Sequence, residues 1–409
     1  MKILSISAQK PDSTGSGIYL TELVKAFSKK GHEQAVMAGI GPEDQVELPS
    51  GVSFYPVRFE TDALPFPVAG MSDEMPYKST RYQDLTPEMV RQFQESFLGT
   101  LDRILAEFDP DVILCHHLYL LTAFVRRHCP DRKIYGFCHN TDLRQMEKTD
   151  LERAFIAEEI RKLDGIFTLQ EAQTERIRQI YHVDRSRIHV VGIGYNDKIF
   201  TQKQFVRTDE RVTMVYAGKI AEKKGVKSLI RALGKLCLEK DPSAAQNVRV
   251  FLAGGAGNQT EYEEICRMAG ECPCRIEFAG KLGQQKLAEL YNACDLFVLP
   301  SFYEGLPLTP VEALACGDRV VMTDLPGIRD WMKTYAPDAG IRFVTPPKMK
   351  AVDEPEESGL AVFEEQLAEA LDETAAEVKA GGRNRRKAAD LSRIRWEQVA
   401  ARVEAVILI

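Results

Sequence analysis

Short apolar runs alternate with stretches of helical period along most of this chain, and that alternation narrows the fold more than any other feature. Lys2–Ser7, Ala35–Ala38, Val112–Cys115, Lys133–Cys138 and Gly165–Leu169 read as strands. Between them, Leu20, Leu23, Val24 and Phe27 mark one apolar helix face, closed by Gly31, while Val90, Phe93, Phe97, Leu101 and Leu105 mark another. Apolar strands separated by helices predict a parallel sheet covered on both faces, with ligands outside the carboxyl ends of its strands. A second series, Thr213–Ala217, Arg249–Ala253, Arg275–Phe278, Leu296–Leu299 and Arg319–Thr323, repeats the pattern. The expected fold is therefore α/β, with two doubly wound, Rossmann-like domains and a ligand cleft between them. We place the domains at residues 1–190 and 207–385, with a linker at 191–206 and a terminal segment at 386–409. The strand and turn Val190–Asp197 supply a hinge, and Thr345–Ser358, rich in Pro, Lys and acidic residues, reads as a surface loop.

Composition excludes several classes of function. The 409 residues exceed what one hydrophobic core organises, and 44% apolar with 28% charged residues is ordinary for a globular chain. No apolar run reaches the roughly 18 residues of a membrane span. The opening Met1–Ser7 turns polar at Gln9–Asp12, too early for a signal-peptide core, so a cytosolic location is expected. Nine cysteines are then expected to remain thiols. Cys266, Cys272 and Cys274 crowd together, but Cys-Pro-Cys lacks the usual two-residue spacing of a zinc site, so no metal is expected there. A net charge of -7 argues against nucleic acid as a partner.

The richest segment for chemistry is Pro300–Gly317, which follows a strand and enters a helix. Glu304 is expected at the strand's carboxyl end and Glu312 in the first helical turn, with backbone amides around Gly305, Leu306, Pro307 and Leu308 turned toward an anion. Thr309–Glu312 also has the form of a capping box with Pro310 at the first helical position, which accounts for Glu312 but not for Glu304. Tyr216–Val226 supplies Lys219 and Lys224 at the end of a strand, with Lys223 facing water. Gly15-Ser16-Gly17 imitates a dinucleotide fingerprint, but Leu20 occupies the third glycine position and no acidic residue closes the second strand. A nicotinamide site is excluded on that ground, leaving a flexible glycine loop as the plain reading. His139 ends an apolar run, where a hydrogen-bonded structural histidine is the plain alternative to a catalyst. His116 and His117 end a neighbouring strand. Asp109-Pro110-Asp111 precedes its strand and reads as a turn, not a metal site.

Framed by Pro300-Ser301, Glu304-Gly305, Pro307-Leu308 and Glu312–Gly317, two glutamates separated by seven residues resemble the signature of the family 4 retaining glycosyltransferases, which have the two-domain GT-B architecture. The resemblance runs from the first glycines to Arg395-Trp396-Glu397, which resembles the family's terminal helix crossing back onto the first domain. It implies that Glu304 meets the donor sugar near the reacting carbon, that Glu312 holds the ribose hydroxyls, and that Lys219 and Lys224 clamp the diphosphate. Lys219 stands where arginine is more usual, so a planar fork is replaced by a point charge. By the same resemblance Gly17 approaches the donor phosphates and His139 is the active-site histidine, while Leu282 is expected to pack on the base. Asn140–Arg144 departs from the family's commoner continuation, which leaves Asp142 and Arg144 as the acceptor candidates.

The implied activity is transfer of a hexosyl group from a nucleoside diphosphate sugar to an acceptor hydroxyl, with retention, and with neither metal nor cofactor since the nucleotide-sugar is a co-substrate. The acceptor is a small molecule, a glycan or a lipid-linked compound, so peripheral contact with a membrane is compatible with it. Rival readings are a nucleotide-sugar epimerase or hydrolase of the same shape, or a nucleotide-sugar-binding protein without catalysis.

Overall fold

The computed structural model describes the chain except for residues 12, 74, 204–210, 352, 382–387 and 409. It forms two compact units, Met1–Gly194 with Trp396–Ile409, and Tyr195–Arg395. The sequence-based boundaries at 206/207 and 385/386 fall outside the described residues.

In the first unit the strands are β1 (Lys2–Ser7), β2 (Glu33–Ile40), β3 (Val52–Arg58), a small separate pair β4 (Ala69–Gly70) and β5 (Thr80–Arg81), then β6 (Val112–His116), β7 (Ile134–Cys138), β8 (Gly165–Thr168) and β9 (Ile188–Val190). The main sheet is parallel, in the order β3-β2-β1-β6-β7-β8-β9. Strand order reverses between β1 and β6, so a crevice opens at their carboxyl ends. β6 and β7 are buried along their whole length, which is why they read as unbroken apolar runs. The helix Pro87–Glu107 starts where Thr86 accepts the Met89 N–H and Pro87 fills the first position, needing no donor. It buries Val90, Phe93, Phe97, Leu101 and Ile104. Leu105, expected on that face, is only partly buried, because the 3.6-residue period brings Ile104 inward instead. Burying Phe93 and Phe97 contributes about 1.5–3 kcal/mol each.

The closing helix Trp396–Ile407 packs on the helix Gly15–Lys29, with the Trp396 and Tyr19 rings edge to face at 5.0 Å. Glu404 anchors it through Lys30 and through His32 at 2.6 Å.

The second unit holds β10 (Val212–Ala217), β11 (Val248–Ala253), β12 (Arg275–Gly280), β13 (Leu296–Leu299), β14 (Arg319–Thr323) and β15 (Ile341–Val344). Again all pairs are parallel, in the order β12-β11-β10-β13-β14-β15, and the order reverses between β10 and β13. The segments carrying Lys219 and Glu304 leave these two strands.

Part of the chain departs from the sequence-based reading. β3 and β15 were not expected; both are only half-buried, and β3 contains Pro56. The supposed loop Thr345–Ser358 contains a hairpin, β16 (Met349–Ala351) and β17 (Glu354–Pro355), and the helix Glu357–Gly381 begins inside it. Gly15-Ser16-Gly17 is not a loop but the first turn of a helix, capped by Thr14, whose hydroxyl accepts the Gly17 N–H at 3.1 Å.

Candidate active site

In the second unit a tight turn meets the end of β13. Glu222–Lys224 forms one 3₁₀ turn that ends at Gly225, whose φ is +71°. A Cβ on Gly225 would lie 2.0 Å from the Pro300 carbonyl oxygen, so only glycine lets the turn seat there. Seated, the turn brings Lys224 Nζ to 2.7 Å from Glu304 Oε1 and 3.2 Å from the Tyr303 carbonyl. The Phe302 N–H donates to the Lys223 carbonyl at 3.3 Å and locks the two loops together. Lys219, at the end of β10, is held from behind by the hydroxyl of buried Tyr216, which donates to its carbonyl at 2.6 Å. Gly254, with φ +149°, presses on the Gly218 carbonyl, where a Cβ would stand 1.7 Å away. Leu282 follows β12 and is half-buried.

The helix after Glu304 runs Leu308–Ala315, with Pro307 as its N-terminal flank and no side-chain cap. Thr309 lies inside that helix, so the capping box expected at Thr309–Glu312 does not form. Pro307, with φ -73°, already sets the entry of the chain, and Pro310 sits in the first turn, where no donor is needed. Glu312 therefore lies beyond the first turn, on the buried side of the helix. Gly305 is half-buried, and Leu306 and Pro307 are buried just before the helix. Lys223 is a second correction. It does not simply face water: its Nζ is 3.1 Å from a carboxylate oxygen of buried Asp353, which the unexpected hairpin presents.

The first unit concentrates imidazoles at the carboxyl ends of β6 and β7. His116 Nδ1 is 3.1 Å from His139 Nε2, their rings stacked at 5.3 Å, and Tyr19 meets the His139 ring edge at 5.2 Å. Burial pushes the His116 imidazole down to about 3 and that of His117 to about 4, and holds His139 well below the ordinary range, so all three are neutral near pH 7. His116 Nε2 is buried without a partner among the described residues. An orphan lone pair costs less than an orphan N–H, so the His116 proton sits on Nδ1 and is donated to His139, leaving His139 protonated at Nδ1. Sequence reasoning passed over Ser16 and Tyr19. Ser16 Oγ lies 3.1 Å from His117 Nε2. His117 and Asn140 both carry positive φ, 73° and 74°, a strain that marks the ends of β6 and β7 as specialised.

Asp142 does not face an acceptor. It is fully buried, accepting the Leu118 N–H at 2.8 Å and the His139 N–H at 3.3 Å on one oxygen and the Leu143 N–H at 3.2 Å on the other. The carboxylate ties the ends of β6 and β7 together because three amides there lack other partners at a helix start. Arg144 is buried too and pairs with Asp73. Gly17 is buried, with its amide already committed to Thr14.

Residues 13–198 match the family model described as Glycosyltransferase Family 4, and residues 197–377 match the one described as Glycosyl transferases group 1. This chain belongs to the family 4 glycosyltransferases of GT-B architecture. It is similar to an uncharacterized glycosyltransferase of Methanocaldococcus jannaschii, 24% identical over 354 residues that span 81% of this chain and 83% of the relative. Solved structures share the fold, among them the following two. Sucrose-phosphate synthase from Thermosynechococcus elongatus aligns with a TM-score of 0.68 and 17% identity over 99% of this chain and 98% of that one. HepE from Anabaena, solved in complex with UDP-glucose, aligns at 0.57 and 15% over 99% and 100%.

In this glycosyltransferase Asp109 and Asp111 hold the amino end of the first sheet. Asp111 accepts the Lys2 N–H at 2.7 Å and Asp109 pairs with Arg132 at 2.7 Å. No helix among the described residues is long and apolar enough to cross a membrane. The reassignment of Asp142 has a direct test. Asp142→Asn places an amide against backbone N–H donors and is expected to lose about 1.5–3 kcal/mol, several degrees in Tm. An unchanged Tm with a raised acceptor KM would restore the acceptor role.

Proposed function

We propose that this glycosyltransferase moves a hexosyl group from a nucleoside diphosphate sugar to an acceptor hydroxyl, with retention at the anomeric carbon and with no metal or cofactor. The observation that carries this reading is the Lys224–Glu304 pair at 2.7 Å, with Lys219 earlier in the same segment, where the strand order of the second unit reverses. Two lysines there can neutralise a diphosphate, and the uncapped start of Leu308–Ala315 adds amide donors. Glu304 sits next to the cation that would hold the leaving group, which supports a role for it toward the sugar. Glu312 is the candidate for the ribose hydroxyls and Leu282 for the base. The complex of HepE with UDP-glucose makes UDP-sugars the first donors to try.

In the proposed mechanism the glycosidic bond lengthens while Lys219 and Lys224 stabilise charge gathering on the diphosphate. The acceptor hydroxyl enters from the same face, and its proton passes to the departing phosphate oxygen. No separate base is required. The first unit takes the acceptor, and His139, donating from Nδ1, hydrogen-bonds a sugar oxygen. The cytosol is the compartment proposed, and the acceptor remains one of three classes: small molecule, glycan or lipid-linked compound.

A panel of nucleotide-sugars tested by thermal shift identifies the donor, since a ligand at 100 times its Kd adds about 2.7 kcal/mol of stability. The first-formed product, read by NMR in excess EDTA, should carry the donor's anomeric configuration. Inversion would overturn retention, and loss of rate restored by magnesium or manganese would overturn metal independence. Release of free sugar with no transfer to any acceptor would favour a hydrolase.

A further inference from the structure

Three sulfurs converge at the amino end of β12, in a part of the second unit that the transfer reaction does not use. Cys272 flanks the end of the helix Gln259–Glu271, Cys274 immediately precedes β12, and Pro273 fixes the backbone between them. Their Sγ atoms are 3.6 Å apart. Cys237, brought in by the π-helical segment Leu236–Lys240, makes a sulfur contact with Cys274 from the inner side.

Exposure separates Cys272 from the two sulfurs beside it. Seven of the nine cysteines are buried, and only Cys266 and Cys272 reach toward solvent. Burial pushes the thiols of Cys115, Cys129 and Cys138 up, which makes them inert. Cys272 is the opposite case: its contact with the Cys274 sulfur holds its thiol below the usual range, while the Cys274 thiol is pushed up, and Cys272 Sγ also lies 3.8 Å from the Ile230 carbonyl oxygen. The arrangement has one sulfur that reaches toward solvent and a second, buried sulfur 3.6 Å behind it.

We propose that Cys272 and Cys274 form a redox-active dithiol, a modification site at which a hydroperoxide is reduced and a Cys272–Cys274 disulfide is made. The Cys272 thiolate attacks the peroxide O–O bond, taking the hydroxyl oxygen as a sulfenic acid and releasing the other as hydroxide or alkoxide, which takes up a proton. Cys274 then attacks the sulfenic sulfur, forming the S–S bond and expelling water. Two thiols and one hydroperoxide give one disulfide, one water and one further water or alcohol, with both sulfurs oxidised and the peroxide reduced.

Trypsin gives the test a clean readout, because cleavage after Arg267 and Arg275 leaves Cys272 and Cys274 together in the peptide Met268–Arg275 and Cys266 in another. The reduced full-length protein is treated with hydrogen peroxide at pH 7 and digested without reductant. Met268–Arg275 is expected to lose two hydrogens, reversibly with dithiothreitol, at least about tenfold faster than Cys266 is oxidised, because Cys272 has a second sulfur 3.6 Å away to resolve the sulfenic acid. Cys274→Ser should instead leave a sulfenic acid on Cys272 that dimedone traps. The unmodified protein should also bind phenylarsine oxide at these two sulfurs, a probe of their spacing that needs no substitution. Equal oxidation of Cys266 and Cys272, a disulfide between Cys237 and Cys274, or failure to take up the arsenical would each overturn the proposal.

Discussion

Lys224→Ala is expected to lower transfer by about 10- to 150-fold while leaving the protein folded. A charge-assisted contact to phosphate is worth about 1.5–3 kcal/mol, and this one grows as the diphosphate takes up charge. The loss should fall more on kcat than on donor KM, because ground-state binding keeps Lys219 and the helix amides. The substitution also removes the ammonium 2.7 Å from the Glu304 carboxylate, the group proposed to meet the sugar. Lys223→Ala separates charge from clamp. Its ammonium is engaged with buried Asp353, so that variant should lose stability and keep its donor kinetics. Measured kcat, KM and Tm for the pair of variants decide the matter. Equal kinetic losses in both would remove the assignment of Lys224 to the diphosphate.

Lys224 and Glu304 were legible because each sits beside a strong local signal, an apolar strand ending in a glycine-bearing or proline-bearing turn. The strands themselves were legible wherever both faces are buried: Leu296–Leu299 and Arg319–Thr323 have the bounds read from their apolar runs. β3 and β15 lack that signature, since half-buried strands carry polar residues at the positions that face water. The fate of Lys223 was not legible at all. Its partner lies 130 positions away in a hairpin whose composition resembles a loop, and no local rule connects them. Asp142 misled for a related reason. An aspartate after a strand and at a helix start suits either a ligand or an anchor, and only its complete burial and three backbone donors decide between them. Glu312 shows the limit of a motif: Thr309-Pro310-Val311-Glu312 has capping spacing, but the prolines at 307 and 310 admit an earlier helix start.

Gly225→Ala should damage both stability and the proposed donor site, although it adds only one uncharged methyl group. At φ +71° a Cβ costs about 1–2 kcal/mol, and the atom it would strike, at 2.0 Å, is the Pro300 backbone carbonyl, which no rotamer change can move. Overpacking of this kind adds about 1–3 kcal/mol, so a loss of several degrees in Tm is expected. The turn can relieve the clash only by withdrawing from the end of β13. Withdrawal draws the Lys223 carbonyl from the Phe302 amide and Lys224 from Glu304. Donor affinity should therefore fall together with stability, unlike in Lys223→Ala. Gly270→Ala provides the control, since that glycine is exposed in a helix with nothing within 4 Å of a new Cβ. It should be neutral or stabilising by about 0.4–1 kcal/mol. A Gly225→Ala protein with unchanged Tm and unchanged donor binding would show that the turn is not pinned to β13, and that the meeting of Lys224 with Glu304 does not depend on it.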